Sequence, residues 1–405
     1  MSFNIALTGL NAANEDLSVT SNNLANSATV GFKGSRTEFA DLFSSSQQGV
    51  SAVGNGVTVS EVAQQFSQGN IETTGNTLDL AVSGNGFFVL SDNGALNYTR
   101  NGEFQLNSAG EVVNSQGEAL QAYPPLSNGG FNTGGLSNIS LNTDQSAPQA
   151  TTTAAITANL PANATPPINT PFSATDPDSY NNTTSLTVYD SLGAAHTASL
   201  YFIKGAAAND WNVQLNVDGA PVGTPQALTY SSSGALTTPA NGQIAFPGYT
   251  PATGASAMNM SFDFTKTTQY GGNFGVTAVQ QDGFTTGQLT GINIDQSGVV
   301  QAQFTNGRSV DLGQIALANF ANSQGLAQRG NATWAATDSS GAAVTGVAGN
   351  SGFGTVQSGS LEESNVDTTT ALVEMITAQR NFQANAQMIQ TEDQVTQSII
   401  NIRGG

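Results

Sequence analysis

The chain contains no cysteine. Disulfides and thiolate metal sites are therefore closed to it, and nothing in it would cross-link in an oxidising compartment. Basic charge is scarce as well: three lysines and six arginines stand against 28 acidic residues, for a net charge of −19 at pH 7. With no basic run to neutralise phosphates, nucleic acid is not an expected partner. A single histidine, His196, is present, and any Ser-His-Asp triad or histidine-bearing metal site would have to be built around it. No stretch reaches the roughly 18 apolar residues that cross a bilayer, and no basic amphipathic helix suggests lying on one, so membrane insertion is not expected. Met1-Ser2-Phe3-Asn4-Ile5 shows no positive n-region and no apolar h-region, which argues against the general secretory route.

What is abundant is Asn, Gln, Ser, Thr and Gly. Charged residues make up 9% of the chain, so amides and hydroxyls must supply most of its polar surface, and 45 glycines are available for turns. This is the composition of an extracellular, β-rich protein. A length of 405 residues suits two to four domains, since compact domains usually run to roughly 100 to 200 residues.

The two ends read as helices. Near the N-terminus Ala6, Leu10, Ala13, Leu17, Thr20 and Leu24 recur in alternating steps of four and three, a narrow seam of coiled-coil type. Asn22, Asn23 and Asn26 end it, because short amides compete for backbone hydrogen bonds, and Gly31 supplies freedom for a chain reversal. At the other end Leu372, Met375, Phe382, Ala386, Ile389, Thr396 and Ile400 are placed on one face, after Ser364-Asn365-Val366-Asp367 as helix-start chemistry. The same stripes would equally suit a helical hairpin packed on a globular core.

Between the helices the period changes. Turn glycines at Gly86, Gly94, Gly102, Gly110 and Gly117 separate short apolar runs such as Phe87-Phe88-Val89-Leu90, a β-meander, and a related rhythm returns from Val299 to Phe320. A Thr-, Ala- and Pro-rich segment from about Asn142 to Pro171 reads as a linker or extended edge. Beyond it, alternation over Ser185–Asp190, His196–Lys204 and Trp211–Val217 predicts an independent antiparallel domain. The fold class expected is mainly β with α-helical termini: nested, discontinuous antiparallel β-domains, with terminal helices that pair as a coiled-coil-like domain on assembly. The division expected is a terminal helical domain (1–26 and 365–405), an extended linker region (27–75 and 350–364), an inner β-domain (76–144 and 284–349) and an inserted outer β-domain (145–283).

Ordering a helix costs roughly 1 to 2 kcal/mol of backbone entropy per residue, against about 1.5 to 3 kcal/mol for each buried Leu. Three leucines on a narrow stripe cannot hold the first helix, so both ends are expected to be frayed in the single chain and to fold among neighbouring subunits. Catalysis is not expected. His196 reads as a side chain on a strand surface. Asp176-Pro177-Asp178 falls in a turn, and Glu362-Glu363 precedes a helix, where acids favour the dipole. Ser83-Gly84-Asn85-Gly86 has neither the lysine nor the following helix of a phosphate loop. No cofactor and no metal are expected. Trp211, Tyr201 and Tyr230 could stack on sugars in a secreted adhesin, but their alternation within strands favours core or interface packing.

The residues left without catalytic explanation are the ones that resemble a family. Asn22-Asn23-Leu24-Ala25-Asn26 followed by Thr29-Val30-Gly31-Phe32-Lys33 is similar to the N-terminal signature of flagellar rod, hook and junction proteins. Gln379-Arg380-Asn381-Phe382-Gln383-Ala384-Asn385-Ala386-Gln387 is similar to their C-terminal signature. Ala81–Phe88 and Tyr98–Gly102 resemble the β-region shared by hook and distal rod. Thr170–Ser173, Asp178–Asn181 and Val188–Gly193 look like the outer domain of hook proteins, which the distal rod protein lacks; Gly313–Phe320 and Trp334–Thr337 add a further match. Phe39-Ala40-Asp41-Leu42-Phe43 is similar to the stretch by which rod and hook subunits engage the flagellar type III export gate, and it also suits a hydrophobic anchor in the folded subunit. Ser21, Thr368 and the extension Gly404-Gly405 depart from the family pattern without removing a motif.

The resemblance implies a structural subunit of the flagellar hook, exported unfolded by the type III pathway, lying outside the cell in the basal body and hook. It would polymerise into a curved, flexible hollow tube, a universal joint passing torque from rod to filament. The alternative within the family is a distal rod or hook–filament junction subunit. Partners implied are further copies of the chain, the hook cap protein, the distal rod protein, the junction protein and the export gate. The assembly interface would be Ala6, Leu10, Ala13, Leu17, Leu24, Leu372, Met375, Phe382, Ala386 and Ile389.

Overall fold

The structure, a computed structural model, describes residues 2–42, 54–141, 145–350 and 352–403. Helices stand at both ends and strands make up most of what lies between. Helix α1 runs Ser2–Ala25 and helix α2 runs Thr368–Arg403. Asparagine chemistry ends α1 as the sequence implies: Asn22 O accepts from the Asn26 amide at 3.1 Å and from Asn26 Nδ2 at 3.0 Å. Asp367 caps α2, its Oδ1 accepting from the Thr370 amide at 2.6 Å and satisfying an amide the helix leaves open.

The chain divides into two compact units, one of residues 1–142, 291–303 and 309–405, the other of residues 143–290 and 304–308. In the first, the strand Phe87–Asp92 lies inside the sheet. Phe88 and Leu90 enter one apolar cluster with Leu80, Leu120, Ile315 and Val356, while Phe87 and Val89 enter another with Tyr98, Phe320 and Trp334. Burial on both faces is why this strand is apolar without alternation. The turn Asn93-Gly94, both with positive φ (49° and 96°), returns the chain as the antiparallel strand Ala95–Thr99. The stretch expected as an extended linker contains an antiparallel hairpin, Ser35–Asp41 with Val57–Gln64. It packs along α1, and Trp334 Nε1 donates to Gln64 Oε1 at 2.6 Å, fixing the hairpin to the inner sheet.

In the second unit, strands Asn182–Tyr189, Ala195–Lys204, Asp210–Val217, Ala220–Tyr230 and Leu236–Thr238 pair in sequence order as an antiparallel sheet. A second sheet faces it across one core that includes Ile156, Leu160, Val188, Leu200, Phe202, Trp211, Phe262 and Phe264. Trp211 and Tyr230 are core residues, with Tyr230 Oη 2.9 Å from Thr267 Oγ1. The Thr/Ala/Pro-rich segment is not a linker or an edge. Its strand Thr153–Pro161 is the centre of the second sheet, and Ala154, Ile156, Ala158 and Leu160 are all buried. Composition hid a period of two carried by small residues. This strand also departs from purely antiparallel pairing: it runs antiparallel to Gly275–Gln281 but parallel to Ser261–Asp263 and Thr268–Tyr270.

Candidate assembly site

The two terminal helices pack on each other in the single chain, where fraying had been expected. They run antiparallel: Ala6 lies beside Met388 and a Cβ on Gly9 would strike the Asn385 side chain, whereas Asn23 and Gly34 lie beside Asn365 and Val366. Ala6, Ala13 and Thr20 are buried on α1, with Leu10, Leu17 and Leu24 half-buried. On α2, Ala371 and Ala378 are buried and Met375, Phe382, Asn385, Ala386 and Ile389 half-buried. Positions 371, 375, 378, 382, 385 and 389 are steps of four and three, the seam of a paired helix. Leu372, expected on the seam, is therefore off the observed one and 47% exposed, because the narrow contact takes small residues and counts back from Met375 to Ala371. Gln379 and Arg380 are exposed, and Ile400 lies among the residues whose side chains are not described.

Several large apolar side chains stay open on the paired helices. Phe3 and Leu7 on α1, and Leu372, Val373, Ile376, Met388, Val395 and Ile399 on α2, are all exposed, the last 60% so. Phe39, on the adjoining hairpin, is exposed too. Phe43 lies outside the described residues.

Beneath the helices, the signature residues build a junction. Asn23 closes a reciprocal pair with Ser35, Nδ2 donating to the Ser35 carbonyl at 2.6 Å and Oδ1 accepting from its amide at 2.8 Å. Asn26 Oδ1 accepts from the Thr29 hydroxyl at 3.2 Å. Gly31 has φ of +66°, and a Cβ there would collide with the Asn101 backbone; its amide donates to the Glu362 carbonyl at 2.7 Å. Phe32 is half-buried, and its carbonyl accepts from the Asn365 amide at 3.4 Å.

Lys33 then turns inward. Its Nζ donates to Glu362 Oε1 at 2.6 Å and to the Ser67 carbonyl at 2.8 Å. Arg100 Nη1 donates to Glu362 Oε2 at 3.0 Å, and its Nη2 to the Gly84 carbonyl at 2.7 Å. The three side chains are 1%, 0% and 6% exposed for Lys33, Glu362 and Arg100. Burial pulls the pKa of both cations down, and the Glu362 carboxylate works against it. Asn365 completes the knot, with Oδ1 accepting from the Gly34 amide and Nδ2 donating to the Gln65 carbonyl, at 2.8 and 2.7 Å. The path of the chain into α2 is thus tied to the path out of α1.

The residues weighed for catalysis have structural partners. His196 is not on the surface: it is buried between Asp190 and Asp218. The alternation phase set by Leu200 and Phe202 points position 196 inward. Asp176 caps a short 3-10 turn by accepting from the Asp178 amide at 3.0 Å, and Glu362 belongs to the buried triad. Among the described residues no cluster of three His, Cys, Asp or Glu side chains could hold a metal ion, and no helix is long and apolar enough to cross a membrane.

Four family models identify the class, that of flagellar axial proteins. They match at residues 3–33 (Flagella basal body rod protein), 81–166 (Flagellar hook protein FlgE/F/G D1 domain), 159–284 (Flagellar basal body protein FlaE D2 domain) and 357–402 (Flagellar basal body rod FlgEFG protein C-terminal). The flagellar hook protein FlgE of Escherichia coli (strain K12) is 42% identical over 414 residues, covering 100% of both chains. That of Rhizobium meliloti (strain 1021) is 33% identical over 98% of this chain and 97% of its own. The crystal structure of Helicobacter pylori flagellar hook protein FlgE2 shares the fold, with a TM-score of 0.54 at 13% identity, over 71% of this chain and 99% of that one. The chain belongs to the flagellar hook protein family.

Proposed function

We propose that this flagellar hook subunit polymerises with copies of itself through its paired terminal helices into a curved, flexible hollow tube, a universal joint between rod and filament. The observation that carries the reading is the apolar surface left open on both helices after they have packed on each other, with Val373 and Ile399 each 60% exposed. Heterologous, non-closing contacts between such faces generate a helical tube, with the helices lining its channel and the β-domains outside. Amide- and hydroxyl-rich surfaces suit bending, because hydrogen bonds worth about 0.5 to 1.5 kcal/mol each can be exchanged between neighbours at little net cost. Family membership supports self-association within the flagellar axial structure. The hook cap, the distal rod and junction proteins, and a type III export gate reading Phe39 and Phe43 before folding, complete the proposal. So do a structural rather than catalytic role and the layering into helical, linker, inner and outer domains.

Val373→Asp and Ile399→Asp test it. Both positions lie off the α1–α2 seam, so the single chain should keep its circular dichroism and unfolding profile. Neither variant should form tubes under conditions where the unaltered chain does, as seen by negative-stain electron microscopy. Normal curved tubes from both variants would sink the proposal.

A further inference from the structure

His196 joins three separate stretches of the second unit. It stands on the strand Ala195–Lys204, 7% exposed. Its Nδ1 lies 2.6 Å from Asp218 Oδ2, in the turn after Asp210–Val217, and its Nε2 lies 3.2 Å from Asp190 Oδ2, in the turn after Asn182–Tyr189. A neutral imidazole carries one N–H, so with both nitrogens facing carboxylate oxygens one lone pair would confront an anion. Only the imidazolium satisfies both. Segment 249–256 closes over the same carboxylates: the Tyr249 hydroxyl donates to Asp218 Oδ2 at 3.3 Å and the Thr253 hydroxyl to Asp190 Oδ2 at 2.7 Å. The Tyr249 ring meets the imidazole edge-on at 5.9 Å. The titratable groups facing His196 are thus Asp190, Asp218 and the Tyr249 phenol.

We infer that protonated His196 is a pH-sensitive latch, holding the Asp190 turn, the Asp218 turn and segment 249–256 together and releasing that segment when the ring loses its proton.

The electrostatics agree with the geometry. Burial disfavours the charged ring, but hydrogen bonds and charge from Asp218 and Asp190 outweigh it and raise its pKa above the ordinary histidine value. Burial alone would raise Asp190, yet hydrogen bonds from Thr253, the Ala194 amide, His196 and the Leu192 amide hold it down at about 2. Asp218 is also lowered, its bonds from His196 and the Thr197 amide overcoming burial. Burial and the Asp218 charge raise the Tyr249 phenol, which stays neutral. A histidine raised in this way contributes stability that is complete below its unfolded-state pKa and is lost as pH rises through the folded value. The two carboxylates contribute above their unfolded values and lose it as pH falls through their depressed ones. The latch is therefore closed in a window bounded by the aspartates on the acid side and by His196 on the alkaline side.

Because the chain has one histidine, its ring signal in a proton NMR titration of the full-length single subunit is unambiguous. The midpoint is expected above the model-peptide value of about 6.5; a midpoint at or below it overturns the latch. Asp218→Asn, at a partly exposed carboxylate, should move the midpoint down. Hydrogen exchange of segment 249–256, divided by intrinsic rates, should lose protection severalfold as pH rises from about 6 to about 9, through the raised titration of His196. In His196→Gln that protection should be low and flat with pH. Equal protection at both pH values in the unaltered chain overturns the proposal. None of these readouts involves polymerisation, so failure here leaves the hook reading untouched.

Discussion

Glu362 has no exposed surface and faces two cations, so removing it leaves Lys33 and Arg100 as unpaired charges in a site that excludes water. Losing one member of a buried ionic group costs on the order of 3–5 kcal/mol. Glu362→Ala should therefore shift the urea midpoint of the first unit by that equivalent. Trp334 fluorescence in a Trp211→Phe background reads the first unit alone, since Trp334 lies in it and Trp211 in the other. An unshifted midpoint would show that the triad is not what joins the ends to the β-core. Lys33 was legible in the sequence only as part of the N-terminal signature; its partner lies 329 residues further on, a pairing that no local pattern encodes. The burial of His196 follows from phase and not from period: the strand Ala195–Lys204 alternates, and the wholly buried Leu200 and Phe202 fix the phase that turns position 196 inward.

At the level of elements, helices and turns were legible because their causes are local. Asn-rich ends, an aspartate cap and Asn93-Gly94 each act within a few residues. The seam of α2 was legible in period and not in identity, since the sequence reading favoured large side chains while the contact uses Ala371 and Ala378. Ala378, at 1% exposed, has no room for a longer side chain, and overpacking typically costs about 1–3 kcal/mol. Ala378→Leu should lower the melting of the helical signal at 222 nm in the single chain, whereas Leu372→Ala, off the seam, should leave it unchanged. The reverse outcome would place the seam where the sequence alone had put it. The strand Thr153–Pro161 escaped recognition because Thr and Ala carry its alternation with little contrast in hydrophobicity.

For the whole molecule, the decisive feature is how the chain enters and leaves its second unit. Ser146 and Gly287 face each other as an antiparallel bridge, the Ser146 amide donating to the Gly287 carbonyl at 2.8 Å, and Gln149 and Phe284 repeat the arrangement one step in. Residues bridged in this way lie about 5 Å apart at Cα, a gap that a two-residue turn spans. Replacing residues 147–286 by Asn-Gly should therefore leave the first unit folded, with the Trp334 unfolding profile of the full chain. The terminal helices and their exposed apolar face all belong to the first unit, so the shortened chain should still polymerise. What should change, if the proposed layering holds, is the tube: without the second unit, electron microscopy should show straighter polymers of smaller diameter. Complete loss of polymerisation by a well-folded deletion chain would mean that the outer unit, and not the paired ends, drives assembly.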